Sequence, residues 1–200
     1  MKKAFTLLEL IFVIVVIGII STIALPRLGG GELRKATDQV VSHIRYTQHL
    51  AMVDDKFDSN NTDWFKARWQ IYFQLDNFVN GHNVYSIYTD RNLNDAANPS
   101  GDELALDPLT KRRMSGNSLF NPNRVENMNL TEQYDVSNID TTGCANTQRI
   151  FFDHMGRPHI NNNSLYGDLL TTECRIVIVN SEGNRTITIN PETGYVFISE

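Results

Sequence analysis

Cysteine is nearly absent: Cys144 and Cys174 are the only two in 200 residues, and they form no C-x-x-C pair. That excludes a zinc ribbon and a thioredoxin-like redox motif, and leaves a single disulfide as the natural reading of an exported domain. A basic surplus is missing too, since 18 Lys and Arg face 23 Asp and Glu for a net charge of -5. Non-specific attraction to phosphate backbones needs a strongly basic face, so nucleic acid is not an expected general partner. The chain holds no G-x-S-x-G elbow, no H-E-x-x-H helix and no phosphate-binding glycine loop. Nothing therefore supports catalysis, and the expected role is not enzymatic. No internal repeat is evident.

What the chain does contain is one long hydrophobic run. Residues 5–25 read FTLLELIFVIVVIGIISTIAL, apolar apart from Thr6, Glu9, Ser21 and Thr22. As a helix this run is about 31 Å long, enough to cross a hydrocarbon core. Lys2 and Lys3 precede it and no basic residue follows until Arg27, so the positive-inside bias leaves the N-terminus in the cytoplasm and sends the rest outward. The competing reading is a secretory signal peptide cut near Ala24, with Thr22 and Ala24 as a small-x-small site. Against it stand the length of the run, the closeness of Pro26 and the carboxylate of Glu9. A carboxylate costs on the order of 2.5–3.5 kcal/mol at a bilayer centre, less near the interface, and usually serves a function there. Its plainer reading is a helix N-terminal acid favoured by the macrodipole.

After Pro26 comes Arg27-Leu28-Gly29-Gly30-Gly31, which removes a backbone donor and lowers helix propensity three times in succession, as a hinge does. Leu33, Ala36, Val40, Ile44, Thr47 and Ala51 then recur every three or four residues. They predict an amphipathic helix to about Val53 with one face on a sheet. His43 and His49, six residues apart on that helix, read as surface residues rather than metal ligands. Strand-like runs follow at 67–74, 83–89, 148–153, 173–180, 184–190 and 193–199. The last three are joined by turn residues and predict a C-terminal antiparallel meander. Between Asn92 and Gly143 the chain is Asn-rich with scattered prolines, a connection unusually long for one without regular structure.

Three local clusters invite a chemical reading. Asp153, His154 and His159 flank a Gly156 turn and read as solvated turn residues rather than as a metal cluster. Lys111-Arg112-Arg113 reads as a solvated loop or a local anion contact. Asp90, Asn92 and Asn94 repeat the first coordinating positions of a calcium loop, which Asp102 or Glu103 closes, so calcium is the candidate cofactor. The loop departs from an EF-hand, because Asp95 stands where the sharp turn wants Gly and the closing acid comes late. An Asx-rich turn without metal is the alternative.

The run Lys2-Lys3-Ala4 followed by Phe5-Thr6-Leu7-Leu8-Glu9-Leu10, with Gly18 and Pro26 as helix-weakening residues further on, resembles the leader of type IV pilins and type II secretion pseudopilins. The resemblance implies cleavage between Ala4 and Phe5 by a prepilin peptidase, N-methylation of Phe5, and retention of the helix. It also implies partnership with other pilins and with an inner-membrane assembly platform. Ala4 departs from the Gly usual before the cut. The new amino group at Phe5 then needs a carboxylate partner inside a helix bundle, and Glu9 of a neighbouring subunit supplies it.

The implied fold is α+β and pilin-like: a long N-terminal helix, with a transmembrane and an amphipathic half, packed on an antiparallel β-sheet. The expected division is a leader at 1–4, a membrane and polymerisation helix at 5–26, its amphipathic continuation at 27–53, and a periplasmic domain at 54–200 with a variable section about 90–145. Residues 150–196 look most similar to the H-type minor pseudopilins of type II secretion and to FimT-like minor pilins. The first implies a minor subunit of a secretion filament. The second implies DNA uptake, with Arg157, Arg175 and Arg185 touching phosphates. An adhesive pilus subunit is a further alternative. Export predicts a disulfide between Cys144 and Cys174.

Overall fold

The computed structural model describes residues 6–28, 31–76, 78–79, 81–93, 99–144, 148–160 and 167–199, with the side chains of 22–28 excepted. The chain divides into two compact units, residues 1–32 and 33–200.

The first unit is built on α1 (Leu7–Leu28), which opens where Thr6 Oγ1 accepts the backbone N–H of Glu9 at 3.2 Å. That bond satisfies one of the donors a helix leaves free at its start. The apolar residues run all the way round rather than along one stripe. From Leu7 to Ile20 all are exposed except the half-buried Val16. A helix of this kind is at home among lipid or other helices. Counted over residues described in full, which stop at Ser21, no helix is long and apolar enough to cross a membrane. The backbone helix itself runs 22 residues, about 33 Å at the standard rise. It passes Pro26, where the polymerisation helix was expected to end, by two residues; one proline removes only one backbone donor. The interruption falls between Leu28 and Glu32.

The second unit begins with α2 (Glu32–Val53), whose first turn is tied down by Glu182 Oε2 accepting the N–H of Leu33 at 3.2 Å. Its buried face comprises Leu33, Ala36, Thr37, Val40, Val41, Ile44, Thr47 and Ala51, including all six residues expected from periodicity. Thr37 and Thr47 fit there because their hydroxyls donate to the helix's own carbonyls at Leu33 and His43. A buried hydroxyl left unbonded would be costly.

Among the described residues eight strands form two four-stranded sheets. The strands are β1 (Trp69–Asp76), β2 (His82–Thr89), β3 (Val136–Gly143), β4 (Arg149–Phe152), β5 (Pro158–His159), β6 (Cys174–Asn180), β7 (Gly183–Ile189) and β8 (Val196–Ser199). The first sheet has the order β2-β1-β4-β5 and the second β3-β6-β7-β8, with all paired neighbours antiparallel. The main core joins the buried face of α2 to Ile71, Phe73 and Ile87 of the first sheet. It also takes in Ile176, Ile178, Ile187, Ile189 and Val196 of the second. At about 1.5–3 kcal/mol for each fully buried aliphatic or aromatic side chain, this shared core is what holds the sheets and α2 together.

The fold is α+β and consistent with a pilin-like one, with two differences from expectation. There are two sheets rather than one, and the section at 90–145 is not devoid of regular structure. It contains β3, the short helix α3 (Leu130–Tyr134) and two 3-10 turns, and it places isolated bridges along β2 at Val84, Ser86 and Tyr88. These bridges occupy the free edge of β2, which bare would template unwanted pairing.

Candidate functional site

At the N-terminal end, Ala4 and Phe5, the residues of the expected cleavage and methylation, lie outside the described residues. Glu9 is described and exposed on the first turn of α1, and its carboxylate has no hydrogen-bond or ion-pair partner among the described residues. Its backbone N–H is used by Thr6. The pattern Thr6-x-x-Glu9 matches a capping box in spacing, a signal the sequence displays but that the reading of Glu9 as an assembly residue passed over. Gly18 has nothing within 4 Å of where a Cβ would stand. Pro26 lies inside the helical backbone, and its side chain is outside the described set.

The disulfide links Cys144 to Cys174, with Cα atoms 4.3 Å apart and a sequence separation of 30. Cys144 follows the last residue of β3 and Cys174 opens β6, adjacent strands of the second sheet. Between them the chain leaves that sheet to make β4 and β5 in the other, so the bond closes the excursion at its base.

In the loop after β2, Asp90 and Glu103 are buried, and Asn94 lies outside the described residues. Glu103 receives the amide of Asn92 at 3.1 Å, the N–H of Asn92 at 3.3 Å, and both the N–H and hydroxyl of Ser100 at 2.8 Å. Asp102 receives the Ser100 hydroxyl at 2.6 Å, which holds its carboxyl below the usual range. Among the described residues no group of three or more His, Cys, Asp or Glu is placed to hold a metal ion. The described geometry is that of a carboxylate stapling its own loop.

The three arginines considered for phosphate contact are not brought together. Arg157 Nε pairs with Asp153 at 2.8 Å, and Arg175 pairs with Glu173 at 2.8 Å. Register sets Arg175 opposite Thr188 and Arg185 opposite Ile178. Directly opposed residues share a face and alternate ones do not. Arg175 therefore projects outward, whereas Arg185 shares the face of core residue Ile178 and reaches Thr37 of α2 at 3.4 Å.

Two expectations about surface residues are corrected. Asp153 and His159 are buried at 1% and 2% exposure; only His154 of that cluster is solvated. Asp153 accepts the N–H groups of Met155 and Arg157, the Arg157 guanidinium, and His159 Nε2 at 3.3 Å. Burial alone would raise its pKa, but the bonds from His159 and Arg157 outweigh that and hold it well below the usual carboxylate range. His43 is half-buried, not a surface residue, with Nδ1 2.7 Å from the hydroxyl of Tyr85. Gln39 donates to the same hydroxyl at 2.7 Å and accepts from Tyr134 at 2.6 Å, so Tyr85 directs its own proton at His43. Burial pushes His43 down to about 4, with Asp107 opposing.

The described helices and antiparallel sheets are consistent with a pilin-like fold. In agreement, residues 1–25 match the family model of the prokaryotic N-terminal methylation motif. That motif implies a membrane-anchored pilin-type N-terminus, processing by prepilin peptidase and assembly with other pilins. No curated protein and no solved structure matches the chain.

Proposed function

We propose that the protein is a structural, non-catalytic minor pseudopilin in the filament of a type II protein secretion system. The observation that carries the filament role is the methylation motif at 1–25 joined to a helix exposed round its circumference, with Glu9 unpartnered in its first turn. Among the described residues that carboxylate has no partner. In a bundle it meets the amine freed at Phe5 of a neighbour, and a pair formed only on assembly sets register more than it adds stability, because desolvation largely offsets attraction. On this reading the chain is anchored in the inner membrane with its N-terminus cytoplasmic and residues 33–200 periplasmic, and it enters the filament from the assembly platform. The choice of secretion over DNA uptake is supported by the net charge and by the outward and core-facing placement of Arg175 and Arg185. Deletion of the gene, scored in parallel for secreted proteins, DNA uptake and surface pili, tests it. Loss of secretion alone is the expected result; loss of DNA uptake with secretion intact assigns the subunit to a DNA-handling pilus instead.

A further inference from the structure

The outward face of the second sheet carries a depression of about 520 Å³ lined by Glu173, Arg175, Val177, Thr186, Thr188, Phe197 and Ser199. Strand register lays most of them out in two rows, Arg175–Thr188–Phe197 and Val177–Thr186–Ser199. The Thr188 and Ser199 hydroxyls meet diagonally at 3.0 Å. Arg175 donates to Glu173 at 2.8 Å on the β6 side. On the β8 side Tyr195 stacks on Phe197, with centroids 5.8 Å apart and planes 23° from parallel, and Tyr195 is 58% exposed. The core is formed by the other face of this sheet, so these rings are not needed there.

Chemistry narrows the occupant. The volume falls within the usual range for small-molecule sites, which combine aromatic walls with a few placed polar groups. Among the described residues the only charges in the lining, Glu173 and Arg175, neutralise each other, so a polyanion finds no net attraction there. Strand addition along β8 is disfavoured, because the strand is four residues long and Arg45 Nη2 already occupies the Val196 carbonyl at 2.6 Å. What remains is a neutral ligand with a flat C–H face for the rings and a rim of hydroxyls for Ser199, Glu173 and Arg175. The geometry points to a binding site for a neutral hexopyranose chain, its sugar rings lying on Tyr195 and Phe197.

The test uses the full chain in lipid nanodiscs, since glycoside detergents would compete, with cellohexaose and maltohexaose titrated by calorimetry and ligand-observed NMR. Saturable binding of at least one is expected. Tyr195→Ala and Phe197→Ala each weaken it by about three- to tenfold, the size of an aromatic contact, and Glu173→Gln weakens it as well. Phe57→Ala, which removes an exposed ring outside the depression, leaves it unchanged. Thermal unfolding of each variant separates lost binding from lost fold. Failure of both sugars to bind at about 10 mM, roughly tenfold above a 1 mM Kd, overturns the proposal. So does binding that survives Tyr195→Ala in a folded protein, or preference for a sulfated polymer over the neutral sugars. Because binding is measured on isolated protein, its outcome is independent of which machine uses the filament.

Discussion

A carboxylate inside an otherwise apolar run stands out by cost alone, and the structure leaves Glu9 exposed and unpartnered among the described residues. Glu9→Ala is expected to leave membrane insertion intact while impairing incorporation into filaments. Co-expression with wild type and a count of both forms in sheared filaments measures this, and equal incorporation would contradict the pairing. His43 was invisible as a buried group because its partner Tyr85 lies on β2, 42 residues away; helix periodicity does not report cross-element bonds. Its depressed pKa makes a pH prediction. The neutral form is the one the fold holds, so its contribution is complete above the ordinary value of 6.5 and is lost as pH falls toward about 4. The thermal midpoint should drop across that window, and drop less in His43→Gln. Asp153, held well below the usual range, contributes stability that is complete above the ordinary value of 3.8 and is lost as pH falls below it.

At the scale of elements, α2 was legible as an amphipathic helix ending near Val53 because six apolar or small positions repeat at helical spacing and all six are buried. β3 was not. Its sequence VSNIDTTG has no alternation and only two apolar residues, Val136 and Ile139, and as an edge strand it buries only Val136. β5 is two residues long, too short to carry a period. The β7–β8 turn depended on Gly194, whose φ of +64° and crowded surroundings only glycine accepts. A Cβ there would stand 2.7 Å from both the Gly156 carbonyl and Gln48 Nε2. Gly194→Ala is therefore expected to destabilise by at least about 1–3 kcal/mol, the cost of a left-handed non-glycine residue, read as a shift in the denaturant midpoint. The disulfide acts between elements, joining β3 to β6 over a separation of 30 residues. Replacing Cys144 and Cys174 together by Ser should cost roughly 3–4 kcal/mol on the chain-entropy estimate. A double variant as stable as the oxidised protein would show that sheet pairing alone closes the excursion.

For the whole molecule, the α+β class and the N-terminal helix were legible because hydrophobic length and periodicity are strong signals. The split into two sheets was not, since it depends on the chain passing between them at β3, β4 and β6, a matter of long-range pairing. The candidate site divides similarly. Motif residues near the N-terminus are recognisable one by one, whereas the engagement of Glu103 by Asn92 and Ser100 depends on how the loop closes and is not legible in the sequence. The central claim is that this chain is processed and retained as a pilin-type subunit. Intact-mass analysis of the protein extracted from membranes tests it most directly. The account expects loss of Met1 to Ala4 and the addition of one methyl group, with the helix kept. A soluble product beginning near Leu25, or an unprocessed and unmethylated chain in the membrane, would contradict it.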